Sequence, residues 1–187
     1  MIGTCTKWIE KTFSKFKPLI KLYSLYYRSI VKNEIKLANV KSYDKVLCIG
    51  GGCIPCTAIE LAKQTKAHIH VIDMDKTAVE CAKKVICKLG LEGNITVIKG
   101  KGEEVDIEPY DVIHVALQVT PKEKVLKNIW EKSKEGSRII VRMPRKVLRP
   151  FYSNITNDFI EKNRGTKSIS QGLKTHTMDE ILCLEKI

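Results

Sequence analysis

Three consecutive glycines, Gly50 to Gly52, separate a strand-like run from a helix-like run. A loop without side chains lets its backbone approach a ligand closely. Asp73 ends the next strand-like run, where a carboxylate can accept hydrogen bonds from both hydroxyls of an adenosine ribose. Pro55 stands where a dinucleotide fingerprint has its third glycine, and it removes one N–H from any pyrophosphate cradle. The loop and the acid together predict a ribose-binding site, and phosphate binding is the weaker interpretation.

The elements that must position these residues alternate along the chain. From residue 45 onward, short apolar runs alternate with amphipathic ones, which is typical of a parallel α/β sheet. Asp75 directly precedes a helix-like run and is expected to cap it, and the stretch from Thr120 to Glu123 predicts a capping box. We expect strands over 46–49, 69–72, 95–98, 111–117 and 138–141, helices over 54–64, 76–89, 121–133 and 151–162, and a closing antiparallel pair over 168–171 and 180–185.

The first forty residues precede this alternation and have a helical pattern. Apolar and aromatic residues recur at helical spacing from Trp8 to Tyr23, and a second run covers residues 25–37. Pro18 is expected to kink or split the first run. The chain is therefore predicted to consist of a helical N-terminal cap, residues 1–40, and an α/β domain, residues 41–187.

Composition limits the classes of protein that the chain can represent. The 187 residues are 43% hydrophobic, enough for one core, and no apolar run reaches the ~20 residues of a membrane-spanning helix. Lys and Arg outnumber Asp and Glu by 33 to 21, but the lysines are scattered, which favours a solvated surface over a nucleic-acid groove. Seven cysteines without a signal region predict a reducing, cytoplasmic location in which thiols stay free.

The seven cysteines and four histidines are the potential soft metal ligands of the chain. Cys53 and Cys56 form a C-x-x-C at a predicted helix start, a position that favours metal or redox chemistry. A zinc ribbon needs a second such pair and the chain has none, so no metal site is predicted and the cysteines are interpreted as small buried residues. Among the histidines, His114 near the end of the fourth strand is the one expected to matter for function.

Several of these stretches resemble the class I S-adenosylmethionine-dependent methyltransferases: residues 46–55, 71–75 with Ala78 and Ala82, and 109–113. The resemblance implies a Rossmann-like, doubly wound, seven-stranded and mostly parallel sheet with an antiparallel last strand. It also implies S-adenosylmethionine as cofactor. Lys101 departs from the pattern, because the family usually has an acid there that binds the adenine amino group. Glu103 could take that role from the same loop, or the backbone alone could serve. The implied cofactor-binding residues are Gly50, Gly51, Gly52, Asp73, Met74, Gly102, Glu103 and Ala116.

A narrower resemblance is to the nicotianamine synthases. It rests on the loop over 50–57, on residues 110–117 and 122–126, on Gly136 with the strand ending at Arg142, and on Phe151 and Tyr152 after the basic loop. Such enzymes move the aminocarboxypropyl arm of S-adenosylmethionine and leave methylthioadenosine. An attacking amine must be neutral, so a carboxylate or tyrosine beside it would accept its proton. The candidates for this catalytic role lie before the glycine loop and are Tyr23, Tyr26, Tyr27 and Glu34; the competing interpretation is a helix packing face.

The sequence thus predicts an S-adenosylmethionine-dependent transferase. Methyl transfer to a small molecule leads because it is the commonest activity of the fold, and aminocarboxypropyl transfer is the alternative. A second alternative is a non-catalytic protein that binds nucleic acid or senses the cofactor. The basic segment from Arg142 to Arg149 would either capture an acceptor carboxylate or phosphate, or simply be a solvated connection. A small amine or carboxylate is the expected partner, and a homodimer is left open.

Overall fold

The computed structural model describes residues 17–153, 155, 159, 168–172 and 177–186. The predicted helical run before residue 17, and nearly all of the helix predicted over 151–162, lie outside the described residues. Within them, no helix is both long enough and apolar enough to cross a membrane.

One sheet organises the described part of the chain. Its strands are β1 (Lys45–Ile49), β2 (His68–Asp73), β3 (Ile95–Lys99), β4 (Val112–Val115), β5 (Arg138–Pro144), β6 (Ser168–Gly172) and β7 (Met178–Glu185). The spatial order of these seven is β3-β2-β1-β4-β5-β7-β6. The strands β1 to β5 pair in parallel, whereas β7 is antiparallel to both β5 and β6. The predicted mostly parallel sheet with an antiparallel last strand is therefore confirmed.

Helices cover both faces of this sheet. They are α1 (Lys17–Leu37), α2 (Cys56–Thr65), α3 (Lys76–Leu89) and α4 (Lys122–Lys132), with a 3-10 helix at Lys146–Phe151. One apolar cluster contains Val31 of α1, Leu61 of α2 and Val85 of α3. A second cluster, which contains Val125 and Ile129 of α4, is built on strand residues not shared with the first. Two cores with helices on both sides identify the Rossmann-like α/β architecture that the sequence predicts.

The burial pattern explains why a crevice forms at one edge of the sheet. All four residues of β4 and four of the five in β1 are buried, as expected for central parallel strands covered on both faces. These two strands are neighbours, but the chain leaves β1 toward α2 on one face and leaves β4 toward α4 on the other. Ligands of open α/β sheets bind where neighbouring connections diverge in this way, at the carboxyl ends of the strands.

Two helix starts differ in how well the sequence predicts them. The capping box expected before α4 is absent, since the helix begins at Lys122 with Pro121 as its N-cap and without a side-chain cap. Pro18 is the second described residue of α1, and because the run before it lies outside the described residues, the kink or split expected there stays a prediction. By contrast, Asp75 caps α3 as expected, accepting from the N–H groups of Thr77 at 2.9 Å and Ala78 at 3.4 Å.

Candidate active site

A cavity of about 890 Å³ opens at the carboxyl edge of β1, β2, β4 and β5. This volume is in the range of small-molecule sites. One part of its wall is the glycine loop, the start of α3, the loop after β3 and the turn after β4. The other part carries aromatic, polar and cationic side chains from other elements, namely Tyr26, Tyr27, His114, Arg142, Tyr152, Thr177 and Met178. The cavity therefore joins a glycine-rich region to a region rich in functional groups.

Two positions of the glycine loop have no room for a side chain. Gly50 has a φ of +83°, in the region that favours glycine, and a Cβ there would lie 2.7 Å from Cγ2 of Val119. A Cβ on Gly51 would lie only 2.2 Å from Cγ1 of Val71. The N–H groups of Gly50 and Gly51 both donate to the carbonyl of Ile72, at 2.9 and 3.3 Å. Side chains at either glycine would push the loop away from β2 and change the cavity wall.

Asp73 is held between two backbone donors. Its Oδ2 accepts from the N–H of Gly52 at 2.8 Å, and its Oδ1 accepts from the N–H of Asp75 at 3.0 Å. A carboxylate oxygen can accept more than one hydrogen bond, so each oxygen keeps capacity for a ligand hydroxyl. The side chain also lines the cavity. Its geometry suits the ribose role that the sequence predicts, and that role stays a prediction.

The loop after β3 is fixed by side chains from α4. Asn128 donates from Nδ2 to the carbonyls of Gly102 and Val105, each at 3.0 Å. A Cβ on Gly102 would lie 2.8 Å from Ile49, so this position also has no room for a side chain. Lys101, the departure from the methyltransferase pattern, pairs with Glu104 at 2.7 Å. The neighbouring Glu103 lines the cavity and stays available for the adenine contact.

A buried charged cluster underlies the second part of the cavity. Arg142 of β5 donates from Nε to Oε1 of Glu34 at 2.6 Å and from Nη2 to Oε2 at 2.8 Å. His114 of β4 lies 3.3 Å from the same Oε1, and its ring is buried. The guanidinium carbon of Arg142 stands 5.2 Å from the ring centroid of Tyr27. This cluster ties α1 to two central strands of the sheet.

The ionisation of the cluster follows from burial and charge. Burial raises the pKa of Glu34, but attraction by Arg142 and His114 outweighs it and lowers the pKa to about 2. Burial lowers the pKa of His114, and the Glu34 charge opposes that shift only in part. A buried carboxylate with so low a pKa is a poor proton acceptor. Glu34 is not among the residues that line the cavity, so its geometry suits an anchor for Arg142.

The structure brings most of the predicted site residues together. Tyr26 and Tyr27 both line the cavity, with their rings edge to face and their centroids 5.2 Å apart. Tyr23 lies on α1, but its side chain is outside the described ones. All of the predicted cofactor-binding residues line the cavity, and their binding role stays a prediction: Gly50, Gly51, Gly52, Asp73, Met74, Gly102, Glu103 and Ala116.

Sequence reasoning missed several residues of the cavity wall. The sequence places Arg142 at the start of a basic segment, residues 142–149, yet it is buried in β5 as the partner of Glu34. Its signal is a single arginine directly after the apolar run Ile139 to Val141, because such a residue needs a buried counterion. Tyr152 and Met178 also line the cavity. Tyr152 belongs to the nicotianamine synthase resemblance but was not named as a site residue, and the segment of Met178 carries no such signal.

The prediction that the thiols stay free is wrong for one pair of cysteines. Cys53 of the glycine loop and Cys81 of α3 form a disulfide with their Cα atoms 5.0 Å apart. Cys48 and Cys183 are buried thiols, as expected, and burial raises their pKa values to about 12 and about 11. Among the described residues, no three His, Cys, Asp or Glu side chains are grouped so that they could hold a metal ion.

Comparison with known proteins identifies the family. Residues 8–170 match the family described as "Nicotianamine synthase protein". The chain is 31% identical over 120 residues to an L-histidine 2-aminobutanoyltransferase from Yersinia pestis, covering 64% of this chain and 45% of that protein. A protein of the same name from Pseudomonas aeruginosa is 26% identical over 114 residues, covering 60% and 43%. The chain thus spans less than half the length of these curated relatives.

Solved structures agree on the fold. MtNAS in complex with MTA and tNA matches with a TM-score of 0.82 and 24% identity, covering 99% of this chain and 71% of that one. A mutant of MtNAS in complex with S-adenosylmethionine matches with a TM-score of 0.79 at the same identity, covering 99% and 74%. An RNA methyltransferase from Salinibacter ruber has a TM-score of 0.66 at 18% identity, covering 84% and 91%. Both resemblances noted in the sequence are confirmed, and the chain belongs to the nicotianamine synthase family.

Proposed function

We propose that the chain transfers the aminocarboxypropyl arm of S-adenosylmethionine to the amine of a small molecule and releases methylthioadenosine. The observation that carries the proposal is the family match over residues 8–170. It favours the alternative reading of the sequence over methyl transfer, which led only because it is common in this fold. The curated relatives are named for 2-aminobutanoyl transfer to L-histidine, so an amino acid of that kind is the first acceptor to test.

The donor fits the glycine-rich part of the cavity. Asp73 would accept from the ribose hydroxyls, since its two oxygens are oriented by Gly52 and Asp75. Met74 is 62% exposed and lines the cavity, so its side chain is free to cover the adenine. Glu103 would accept from the adenine amino group in place of the acid that Lys101 replaces. The glycine loop would then face the methionine part of the donor.

The chemistry depends on which carbon the acceptor reaches. The positive sulfur activates all three carbons attached to it, so geometry selects the product. In the proposed reaction the amine nitrogen forms a bond to the aminocarboxypropyl carbon, the bond from that carbon to sulfur breaks, and the electron pair stays on sulfur. The nitrogen, which attacks as the neutral amine, then loses one proton to the solvent. The part of the cavity that α1 contributes is where we place the acceptor.

Two tyrosines are our candidates for contact with the attacking amine. Tyr26 and Tyr27 line the cavity, and a phenol oxygen can accept a hydrogen bond from an amine and so orient its lone pair. Glu34 is buried and engaged by Arg142, so we assign it an anchoring role in place of proton transfer. Tyr23 stays a prediction from the sequence. A cytoplasmic location, a homodimer and the division into cap and domain also stay predictions.

The product decides between the candidate reactions. Purified protein is incubated with S-adenosylmethionine, with and without L-histidine, and the nucleoside product is followed by mass spectrometry. Methylthioadenosine above the spontaneous background, formed only with acceptor, supports the proposal. S-adenosylhomocysteine would make the protein a methyltransferase. If neither product forms with any amine or carboxylate acceptor, the result would count against an enzyme and favour the sensing role.

A further inference from the structure

Lys122 is a buried lysine that the proposed reaction does not use. Among the described residues it is the largest of the fully buried side chains, and none of its surface is exposed. Burial lowers its pKa to about 8, and no charged group contributes to that shift. An apolar side chain of similar volume would fill this space without burying a charge. The ammonium therefore needs an explanation from the groups that it contacts.

The ammonium of Lys122 joins the ends of two strands. Nζ donates to the carbonyl of Leu117, just beyond β4, at 2.9 Å and to the carbonyl of Arg142 on β5 at 3.2 Å. The parallel pairing of these strands ends at Val115 and Val141. Beyond that point the chain turns away from β4 while β5 continues beside β7. The ammonium thus bridges the two strands immediately after they separate.

These two strand ends are part of the cavity wall. Leu117 and Arg142 both line the cavity, and Arg142 also holds Glu34 of α1. The backbone N–H of Lys122 donates to Oγ of Ser153 at 2.9 Å, next to Tyr152, which lines the same cavity. One residue therefore contacts three segments that shape the region where the acceptor is placed.

We propose that Lys122 is a positioning residue whose ammonium holds the separating ends of β4 and β5 together and so sets where Leu117 and Arg142 stand in the cavity wall. A charged donor makes stronger hydrogen bonds to carbonyls than a neutral one, which suits it to this task. The structural part of this inference stands alone, whereas its kinetic consequence rests on the proposed function.

The structural part is tested by amide hydrogen exchange. Lys122→Met keeps an unbranched side chain but removes all three donors, and Lys124→Met on the exposed side of the same helix is the matched control. We expect exchange in Lys122→Met to accelerate at least tenfold at residues 117–119 and 142–143, and to stay unchanged in β1 and β2. Uniform acceleration across the sheet, or none at these two segments, overturns the proposal.

A measurement on the unmodified protein covers the case in which Lys122→Met does not fold. The 15N resonance of the Lys122 ammonium and the 13C resonances of the Leu117 and Arg142 carbonyls are followed by NMR between pH 6 and pH 10. We expect the two carbonyls to respond with the same midpoint as the ammonium. Carbonyl resonances that do not follow the titration of Lys122 contradict its proposed role in holding the ends of β4 and β5 together.

The kinetic part is measured with S-adenosylmethionine and L-histidine. We expect Lys122→Met to raise the KM for the acceptor about tenfold or more while the Kd for S-adenosylmethionine changes less than twofold. An unchanged acceptor KM, or an equal loss of affinity for both substrates, overturns the positioning role. If the unmodified protein releases no methylthioadenosine, the proposed function fails. The exchange and NMR results still decide whether Lys122 holds the ends of β4 and β5 together.

Discussion

Arg142 donates a hydrogen bond to each carboxylate oxygen of Glu34 inside the protein, although the two residues are 108 positions apart in the sequence. Glu34 is wholly buried and Arg142 is 3% exposed. A buried pair of this kind costs more to break than to replace, because a single remaining charge has no partner. The pair joins α1 to β5 beneath the proposed acceptor region, so its loss should affect both stability and the shape of the cavity.

Removing one partner of this pair should therefore destabilise the protein more than removing both. Glu34→Leu leaves Arg142 charged and buried, and we expect the free energy of unfolding to fall by about 3–5 kcal/mol. The double variant Glu34→Leu with Arg142→Met should recover most of that loss. Urea denaturation measures each value, and Glu131→Gln, which removes an exposed partner of Lys127, should leave stability unchanged within error. A double variant no more stable than Glu34→Leu would contradict this view of the pair.

The same carboxylate should give stability a distinct pH dependence. The pKa of Glu34 is lowered from 4.5 to about 2, so the unfolded chain binds the proton more tightly than the folded one. Its contribution is complete above about pH 5 and is lost as the pH falls toward 2. His114, whose pKa is also lowered, adds a loss in the same direction below its ordinary value of 6.5.

The measurement compares the unmodified protein with Glu34→Gln by urea denaturation between pH 2 and pH 7. The stability difference between them should be largest at neutral pH and shrink below pH 5. A difference that stays constant with pH would show that Glu34 does not titrate as described.

Donor binding should depend on Asp73. Its carboxylate is the proposed acceptor for the ribose hydroxyls, and hydrogen bonds to a charged group contribute about 1.5–3 kcal/mol. We expect Asp73→Ala to weaken S-adenosylmethionine binding roughly 10- to 100-fold by isothermal titration calorimetry. Asp106→Ala, an exposed acid away from the cavity, serves as the control. Unchanged affinity in Asp73→Ala would remove the ribose assignment.

Local signals were sufficient for the sheet and for placing the proposed donor residues in the wall of one cavity. The short apolar runs predicted β1 to β5 because buried parallel strands carry continuous apolar residues. The glycine loop and Asp73 were found from their order along the chain, since the ends of neighbouring parallel strands meet at one edge. Helix α3 was predicted with its observed ends because Asp75 and Gly90 are strong local start and stop signals.

Contacts between residues that are far apart along the chain could not be predicted from the sequence. The partner of Glu34 lies on a distant strand, and no local pattern connects it to Arg142. The pairing of Cys53 with Cys81 was missed for the same reason, because spacing does not reveal disulfide connectivity. The sequence predicts Lys122 only as part of a capping box, whereas its burial results from the strand ends packed around it.

The glycine loop offers a test of packing. A methyl group at Gly51 would meet Cγ1 of Val71, and overpacking of this kind destabilises by about 1–3 kcal/mol. We expect Gly51→Ala to lose stability and to bind S-adenosylmethionine more weakly, and Val71→Ala in the same chain to restore part of both. Gly93→Ala is the matched control, because a Cβ there has no neighbour within 4 Å. Equal effects of Gly51→Ala and Gly93→Ala would refute the packing explanation.

The Cys53–Cys81 disulfide should stabilise the protein by restricting the unfolded chain. Its cysteines are 28 residues apart, and closing a loop of that size contributes about 3–4 kcal/mol. We expect dithiothreitol to lower the free energy of unfolding by that order, and Cys53→Ser with Cys81→Ser to lower it equally. The double variant should not respond further to dithiothreitol, which separates this bond from effects on the other thiols. Because Cys53 also lines the cavity, the reduced protein should bind S-adenosylmethionine more weakly, as its glycine loop is then no longer tied to α3.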